Sequence, residues 1–214
     1  MALDKNIYDA ILNGNAKKAH EATQAALAAG SEPMALIQDS MVPAMDEVGK
    51  LFECEEYFVP ELLLAGRAMK NAMDLIKPML SAAGHKMAVR VIIGTVKGDL
   101  HDIGKNIVAS MLEGSGFEVI DLGTDVTPEK FVNAVRESHP HVLCMSALLT
   151  VTMPAMKSTM DALESAGIRR QVKVLIGGAP VTSQYACEIG ADGYSDNASG
   201  AVSMVKELLG KCAA

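Results

Sequence analysis

The sequence predicts an α/β protein in which a small four-helix bundle precedes a Rossmann-like (flavodoxin-like) domain with a five-stranded parallel sheet. From Leu3 to about Ala83, helix-forming residues carry apolar positions at intervals of three and four. From Ala88 onward, short apolar runs alternate with helical stretches, the pattern of repeated βα units. Half of the 214 residues are hydrophobic, enough to form sizeable cores. We therefore expect a helical cap domain over residues 1–85 and an α/β domain over residues 88–214.

Breaks in the N-terminal half divide it into four helices. They fall at "NGN" (13–15), "GSEP" (30–33), "CEEYFVP" (54–60) and "AAGHK" (82–86). Pro43 is a candidate kink in the third helix, because proline removes a helical hydrogen bond. Short connections between amphipathic helices predict a bundle.

Five apolar runs in the C-terminal half predict the strands. They are "VRVIIGTV", "FEVIDLGT", "HVLCMSAL", "VKVLIGGA" and the weaker "GADGYSDN". Helices are expected to begin near Asp102, Pro128, Met153, Thr182 and Ala198. Because ligands of such sheets bind beyond the carboxyl ends of the strands, the polar loops there are the candidate functional segments. These loops are "KGDLHDIG", "GTDVTPE", "SALLTVTMP", "GGAPVTS" and "SDNASG".

Composition excludes several classes of function. Nineteen basic against 26 acidic residues give a net charge of −7 without a basic cluster, so neither nucleic acid nor an anionic membrane is an expected partner. The acidic N-terminus does not resemble a secretory signal, and no apolar run is long enough to span a bilayer, so we expect a cytoplasmic protein. Four dispersed cysteines without a CxxC pair predict reduced thiols.

A three-part motif ties together three of the polar loops. Asp99-x-His101-x-x-Gly104 is followed after 41 residues by Ser146-x-Leu148, and after 28 more by Gly177-Gly178. This spacing resembles the corrinoid-binding signature of cobalamin-dependent methyltransferases. The segment "TVKGDLHDIGKNIV" is similar to cobalamin-dependent methionine synthase. The segment "VGKLFECEEYFVPELL" resembles the helical cap of that enzyme and of small corrinoid proteins of methylamine and methanol metabolism. The resemblance covers essentially the whole chain.

The resemblance implies a role for each member of the histidine motif. His101 would displace the dimethylbenzimidazole base of cobalamin and bind cobalt from below, giving base-off cobalamin with histidine ligation. Imidazole suits a metal of intermediate softness, and its second nitrogen needs an acceptor, which Asp99 would provide. The relay of hydrogen bonds that runs from His101 to Asp99 would end on the hydroxyl of Thr152. The family has serine at this position, and threonine can donate the same hydrogen bond.

Further residues match the cofactor-contact positions of the family. A slot for the displaced nucleotide tail requires small residues, for which Gly104, Gly177 and Gly178 are suited. The other positions around the corrin and tail are Gly98, Leu100, Asp102, Ser146, Leu148, Thr150 and Ala198. On the upper face, the apolar cap positions are Phe52, Val59 and Leu62, whereas Gln38 stands where methionine synthase has glutamate.

The function implied by the resemblance is that of a corrinoid methyl carrier. It would receive a methyl group on cobalt from a substrate-specific methyltransferase and deliver it to a second methyltransferase acting on tetrahydrofolate or a thiol. A reductive activation protein is a third expected partner. The protein would thus be the corrinoid subunit of a methyltransferase system, serving a methylamine, methanol, a betaine or an aryl methyl ether.

Three other functions remain open from the sequence. An adenosylcobalamin mutase subunit shares the histidine motif, but its small form generally lacks the helical cap. A cobalamin-dependent regulator or light sensor would need a DNA-binding segment, and the sequence has neither an additional helix-turn-helix pattern nor a basic stretch. If the histidine motif were accidental, the C-terminal half would be a plain flavodoxin-like domain.

Overall fold

A computed structural model describes residues 3–82 and 89–210 of the chain. The expected boundary between the two domains, at residues 85–88, lies outside the described residues, as does Cys212. The structure divides into two compact units, Met1–Ala88 with Ser110–Phe117, and Val89–Ala109 with Glu118–Ala214.

The N-terminal half is helical, as predicted. Its elements are α1 (Lys5–Leu12), α2 (Ala16–Ala28), α3 (Pro33–Leu36), a π-helical turn (Ile37–Met41), α4 (Val42–Glu53) and α5 (Val59–Ala82). Because α3, the π turn and α4 follow one another without a break, the half contains four continuous helical segments in its described part. A side chain at the start of each of α1 and α2 accepts a hydrogen bond from a backbone amide of the first helical turn. Asp4 accepts from the Ile7 N–H, and Asn15 accepts from the Lys18 N–H.

The irregularity expected at Pro43 takes the form of the π turn directly before it. Pro43 has no N–H to donate, and its ring crowds the carbonyl four residues earlier in a regular α-helix. In the structure the Val42 N–H bonds to the Ile37 carbonyl, an i→i+5 bond that widens the helix at this point. The helix therefore continues past the proline to Glu53.

The C-terminal half is a five-stranded parallel sheet with helices in the connections, which confirms the predicted fold class. The strands are β1 (Arg90–Thr95), β2 (Glu118–Asp121), β3 (Val142–Ser146), β4 (Lys173–Gly177) and β5 (Gly193–Ser195). The helices are α6 (Ile103–Gly114), α7 (Pro128–Ser138), α8 (Pro154–Ser165), α9 (Ser183–Ile189) and α10 (Ala198–Gly210), with a 3₁₀ turn at Arg169–Gln171. Each helix begins within one residue of the predicted position.

The strand order β2-β1-β3-β4-β5 places a topological switch between β1 and β3. The chain leaves β1 toward β2 on one side and returns to pair β3 on the other, so the loops after β1 and β3 diverge from adjacent strand ends. Such a divergence leaves a crevice in which α/β proteins bind ligands. The histidine motif follows β1, and Thr152 follows β3.

Apolar residues of β1, β3 and β4 form the center of the sheet core. Ile92, Leu143 and Val174 are fully buried, and Phe131 of α7 and Met156 of α8 pack in the same cluster.

Among the helices of the described residues, none combines the length and apolarity needed to cross a bilayer.

The buried thiol of Cys144 allows a test of this core. Cys144 lies in β3, and burial raises its pKa to about 12. Since the thiolate is the reactive form, Cys144 should not react with a disulfide reagent in the folded protein. A variant that keeps only Cys144 should be labelled only after unfolding in urea, whereas a variant that keeps only the exposed Cys54 should be labelled at once. Equal labelling rates for the two folded variants would contradict the described packing of β3.

Candidate functional site

The carboxylate of Asp99 joins the loop after β1 to the loop after β3. Its side chain is completely buried. Oδ2 accepts hydrogen bonds from Thr152 Oγ1 at 2.7 Å and from the Leu148 amide at 2.8 Å. Oδ1 accepts from the His101 ring at 2.7 Å and from the His101 amide at 3.1 Å. The three residues expected to form the relay are therefore brought together, and Leu148 contributes through its backbone.

These hydrogen bonds keep Asp99 ionised despite its burial. Burial by itself would raise the pKa of the carboxyl group. The hydrogen bonds from Leu148, Thr152 and His101 act in the opposite direction and outweigh it, so the pKa of Asp99 lies well below its ordinary value. The site thus holds a buried negative charge at neutral pH.

The same contact determines which nitrogen of His101 carries the proton. An ionised carboxylate can only accept hydrogen bonds, so Nδ1 must be the donor at 2.7 Å. In the neutral imidazole this leaves the lone pair on Nε2. The His101 side chain is 51% exposed, and Nε2 has no hydrogen-bond partner among the residues that the structure describes.

Two further residues hold the histidine loop, and neither was predicted from the sequence. Thr95, at the end of β1, donates its hydroxyl to the His101 carbonyl at 2.9 Å. Asp125, in the loop after β2, accepts from the Gly98 amide at 2.7 Å, and its own amide donates to the Asp99 carbonyl at 3.0 Å. Both side chains are of common types at loop ends, and their partners become apparent only once the strands are paired.

Lys105 is a third residue that the sequence did not single out. It follows Gly104 in the first turn of α6 and is almost completely buried. Its ammonium group pairs with Asp121 at the end of β2, and Asp121 also accepts from the Gly123 amide at 2.8 Å. This ion pair connects the start of α6 to the strand on the outer side of β1.

The glycines of the motif differ in what the protein requires of them. A Cβ at Gly178, where φ is +127°, would lie 1.9 Å from the Ala147 carbonyl oxygen, and one at Gly177 would lie 2.7 Å from the Ser195 carbonyl oxygen. Close approach of backbone to backbone is therefore sufficient to explain this pair. A Cβ at Gly104 would meet nothing within 4 Å, so no contact in the described structure demands glycine there.

The remaining predicted contact residues are distributed around the same strand ends. Ser146 is half-buried at the end of β3, and Thr150 is exposed in the loop beyond it. Asp102 is exposed and accepts from the Asn106 side chain at 3.2 Å. Ala198 is buried at the first position of α10. Their proposed contacts with the cofactor stay predictions.

The three predicted upper-face residues lie in the helical half, with different exposures. Phe52 is half-buried near the end of α4, Val59 is exposed at the start of α5, and Leu62 is buried one turn later. Gln38 lies exposed in the π turn.

Comparison with known proteins gives consistent matches along the chain. A family model described as a B12 binding domain matches residues 89–203, and a second with the same description matches residues 3–77. The chain belongs to the B12-binding corrinoid proteins. It is 44% identical to trimethylamine corrinoid protein 1 of Methanosarcina acetivorans over 94% of each chain.

Solved structures of this family share the fold. A cobalamin-binding protein from Desulfitobacterium hafniense matches with a TM-score of 0.80 and 35% identity, covering 95% of this chain and 97% of that one. The methanol:cobalamin methyltransferase complex MtaBC from Methanosarcina barkeri matches with a TM-score of 0.85 and 32% identity, covering 96% of this chain and 78% of that one.

The residues present fit a corrinoid. His101 offers an oriented and exposed nitrogen lone pair, which is the donor that a cobalt ion requires. The space beside Gly104 can take a ligand group without displacing protein atoms. Exposed apolar side chains flank the histidine in the chain and recur in the loop after β3; they are Leu100, Ile103, Leu148, Leu149 and Val151. Exposed apolar surface of this kind marks ligand sites and interfaces.

Replacing Asp99 by asparagine should lower stability in a pH-dependent way. A carboxyl group whose pKa is lowered by folding stabilises the protein at pH values above its pKa in the unfolded chain, which is about 3.9 for aspartate. This contribution is lost as the pH falls from that value toward the lower pKa of the folded state. At pH 7 we expect the free energy of unfolding of cofactor-free Asp99→Asn to be about 2 kcal/mol lower than that of the native sequence, because the substitution breaks a buried network of charge-assisted hydrogen bonds. Urea titrations at pH 7 and about pH 3 measure the difference, which should shrink at the lower pH. A difference independent of pH would show that the Asp99 charge does not contribute.

Proposed function

We propose that the protein is a methyl carrier of a cobalamin-dependent methyltransferase system and that His101 is the residue that would bind its cobalt. The observation that carries this proposal is the buried Asp99 carboxylate, which leaves the Nε2 lone pair of His101 exposed. The names of the relatives support the methyl-transfer role, since they include trimethylamine and dimethylamine corrinoid proteins. The match of the helical half to a B12-binding model favours this function over that of a mutase subunit.

The chain contributes ligation and orientation, whereas the cofactor contributes the reactive center. Bound cobalamin supplies a cobalt ion that can accept and release a methyl group. Asp99 holds the imidazole in the Nδ1–H tautomer and increases the basicity of Nε2. Thr152 fixes the opposite carboxylate oxygen, so the ring and the loop after β3 are oriented together.

The cofactor would be bound with its dimethylbenzimidazole away from the metal. In the proposal the nucleotide tail passes the open position at Gly104. The hydroxyls of Ser146 and Thr150 are further proposed contacts of the tail. The exposed side chains of Leu100 and Leu148 would cover apolar edges of the corrin. Phe52, Val59 and Leu62 are proposed contacts on the upper face.

Two methyltransferases are the proposed partners. One would transfer the methyl group from its substrate to the bound cofactor, and the second would pass it to tetrahydrofolate or a thiol. The first pairing is supported by the methanol:cobalamin methyltransferase complex MtaBC, since a chain of that complex is structurally similar to this protein. In this arrangement the first partner, not this chain, selects the methyl donor. A reductive activation protein is the third proposed partner, because a carrier of this type needs its cobalt returned to the reduced state.

Isotopic labelling tests the proposed ligand directly. Protein uniformly labelled with ¹⁵N is loaded with unlabelled cobalamin, and the paramagnetic cobalt(II) form is examined by electron paramagnetic resonance. A histidine ligand should split each cobalt line into a ¹⁵N doublet, whereas retained dimethylbenzimidazole would give a ¹⁴N triplet. His101→Ala should lose the doublet.

The matched control is His139→Gly. His139 ends α7 in a left-handed conformation that glycine adopts without strain, so this variant should fold and keep the doublet. A doublet that persists in His101→Ala, or a triplet in the native sequence, would refute the assignment of the ligand.

Gly104→Ala separates a role in cofactor binding from a role in folding. A methyl group at this helical position meets no protein atom, and alanine has the higher helix propensity, so the free energy of unfolding should not fall. Cobalamin affinity should fall about tenfold or more, the equivalent of about 1.4 kcal/mol, if the tail passes this position.

Gly178→Ala is the contrasting variant for the same measurements. Its Cβ would lie 1.9 Å from the Ala147 carbonyl oxygen, so the cofactor-free protein itself should lose stability. Urea unfolding and equilibrium binding of cobalamin distinguish the two effects. Unchanged cobalamin affinity in Gly104→Ala would place the tail elsewhere.

A further inference from the structure

Asp125 adopts a backbone conformation that residues with a side chain rarely occupy. Its φ is +52°, in the left-handed region. Asp125 lies in the loop between β2 and α7, where a glycine would adopt this conformation at less cost. The presence of aspartate at this position therefore calls for an interaction made by its side chain.

The carboxylate of Asp125 is not used to cap the helix that follows it. Thr127 is the N-cap of α7 and accepts from the Lys130 amide at 3.3 Å. The described hydrogen bond of the Asp125 side chain instead reaches the loop after β1, where Oδ1 accepts from the Gly98 amide at 2.7 Å. The interaction joins two loops rather than stabilising its own.

Asp125 holds the histidine loop at two consecutive residues, on either side of the peptide unit that joins them. Its side chain accepts from the Gly98 amide, and its own amide donates to the Asp99 carbonyl at 3.0 Å. The left-handed conformation allows both groups to meet the same segment. The adjoining residue Val126 continues the attachment, because its amide donates to the Thr95 carbonyl at 2.9 Å.

Gly98 is the position at which the histidine loop most needs such a restraint. Its φ is +82°, and a Cβ there would meet only the Thr152 methyl group at 3.7 Å, so side-chain packing does not confine it. Rotation of the backbone at Gly98 would move the next residue, Asp99, whose carboxylate orients His101. A hydrogen bond to the Gly98 amide opposes this rotation.

We propose that Asp125 is a positioning residue for the cobalt ligand: its hydrogen bonds to Gly98 and Asp99 hold His101 in the orientation that binds the metal. This inference rests on the proposed function of His101. Asp125 itself contacts neither the imidazole nor, in this proposal, the cofactor. Its contribution is to reduce the motion of the loop before the cofactor arrives.

Three substitutions separate the side-chain hydrogen bond from the backbone conformation. Asp125→Asn keeps an acceptor oxygen and tolerates the left-handed region. Asp125→Gly also fits that region but has no acceptor. Asp125→Ala lacks the acceptor without adding the flexibility of glycine. Asparagine is therefore the conservative rescue, and the glycine and alanine variants report the loss of the side-chain hydrogen bond to the Gly98 amide.

The first readout uses cofactor-free protein. Amide hydrogen exchange at Gly98, measured by nuclear magnetic resonance, should be about 5- to 10-fold faster in the glycine and alanine variants, the loss expected for one net hydrogen bond. The asparagine variant should stay within about twofold of the native sequence. The amide of Ile92 in the center of β1 serves as the internal control and should not change, which excludes global unfolding.

The second readout is the fraction of ¹⁵N-labelled protein that shows the histidine doublet with bound cobalt(II) cobalamin. This fraction should fall in the glycine and alanine variants and be restored by asparagine. Equal Gly98 exchange in all four proteins, or faster exchange with an unchanged fraction, would overturn the positioning role alone. Absence of the doublet in the native sequence would overturn the proposed function and this inference with it.

Discussion

The burial of one carboxylate organises the site. Asp99 is removed from solvent, yet its pKa is lowered, because the hydrogen bonds around it stabilise the charge more than burial disfavors it. A buried carboxylate that lost these donors would be strongly destabilising. The loops after β1 and β3 must therefore stay where Leu148, Thr152 and His101 can reach it. The orientation of the imidazole follows from a requirement of folding.

The sheet topology provides the conditions for this network. Because β1 and β3 are adjacent and parallel, both loops start at the same edge, although their residues are about 50 positions apart in the chain. The loop after β2 reaches the same edge through the pairing of Val96 with Val126, which brings Asp125 to Gly98. On the other side, Gly178 allows the β4 loop to approach Ala147. The histidine segment is held by several neighbouring loops.

Much of this could be predicted from sequence, for identifiable reasons. The apolar runs of the strands and the residues at helix starts, such as Pro128, are local signals, so the order and limits of the elements were predictable. Asp99 and His101 lie two residues apart, so their contact was predictable as well. The contacts of Asp125 and Lys105 were not, because they join loops that meet only after the sheet forms. The π turn was also missed: Pro43 indicates an irregularity but not its form.

The central claim is that Asp99 fixes His101 as the Nδ1–H tautomer, with its lone pair on Nε2. The most direct test is the ¹⁵N spectrum of the neutral His101 imidazole in cofactor-free protein, recorded in alkaline buffer. We expect Nδ1 to resonate as a protonated nitrogen and Nε2 as an unprotonated one, with no averaging between tautomers. An Nε2–H signal, or the averaged shifts of a freely exchanging imidazole, would contradict the account.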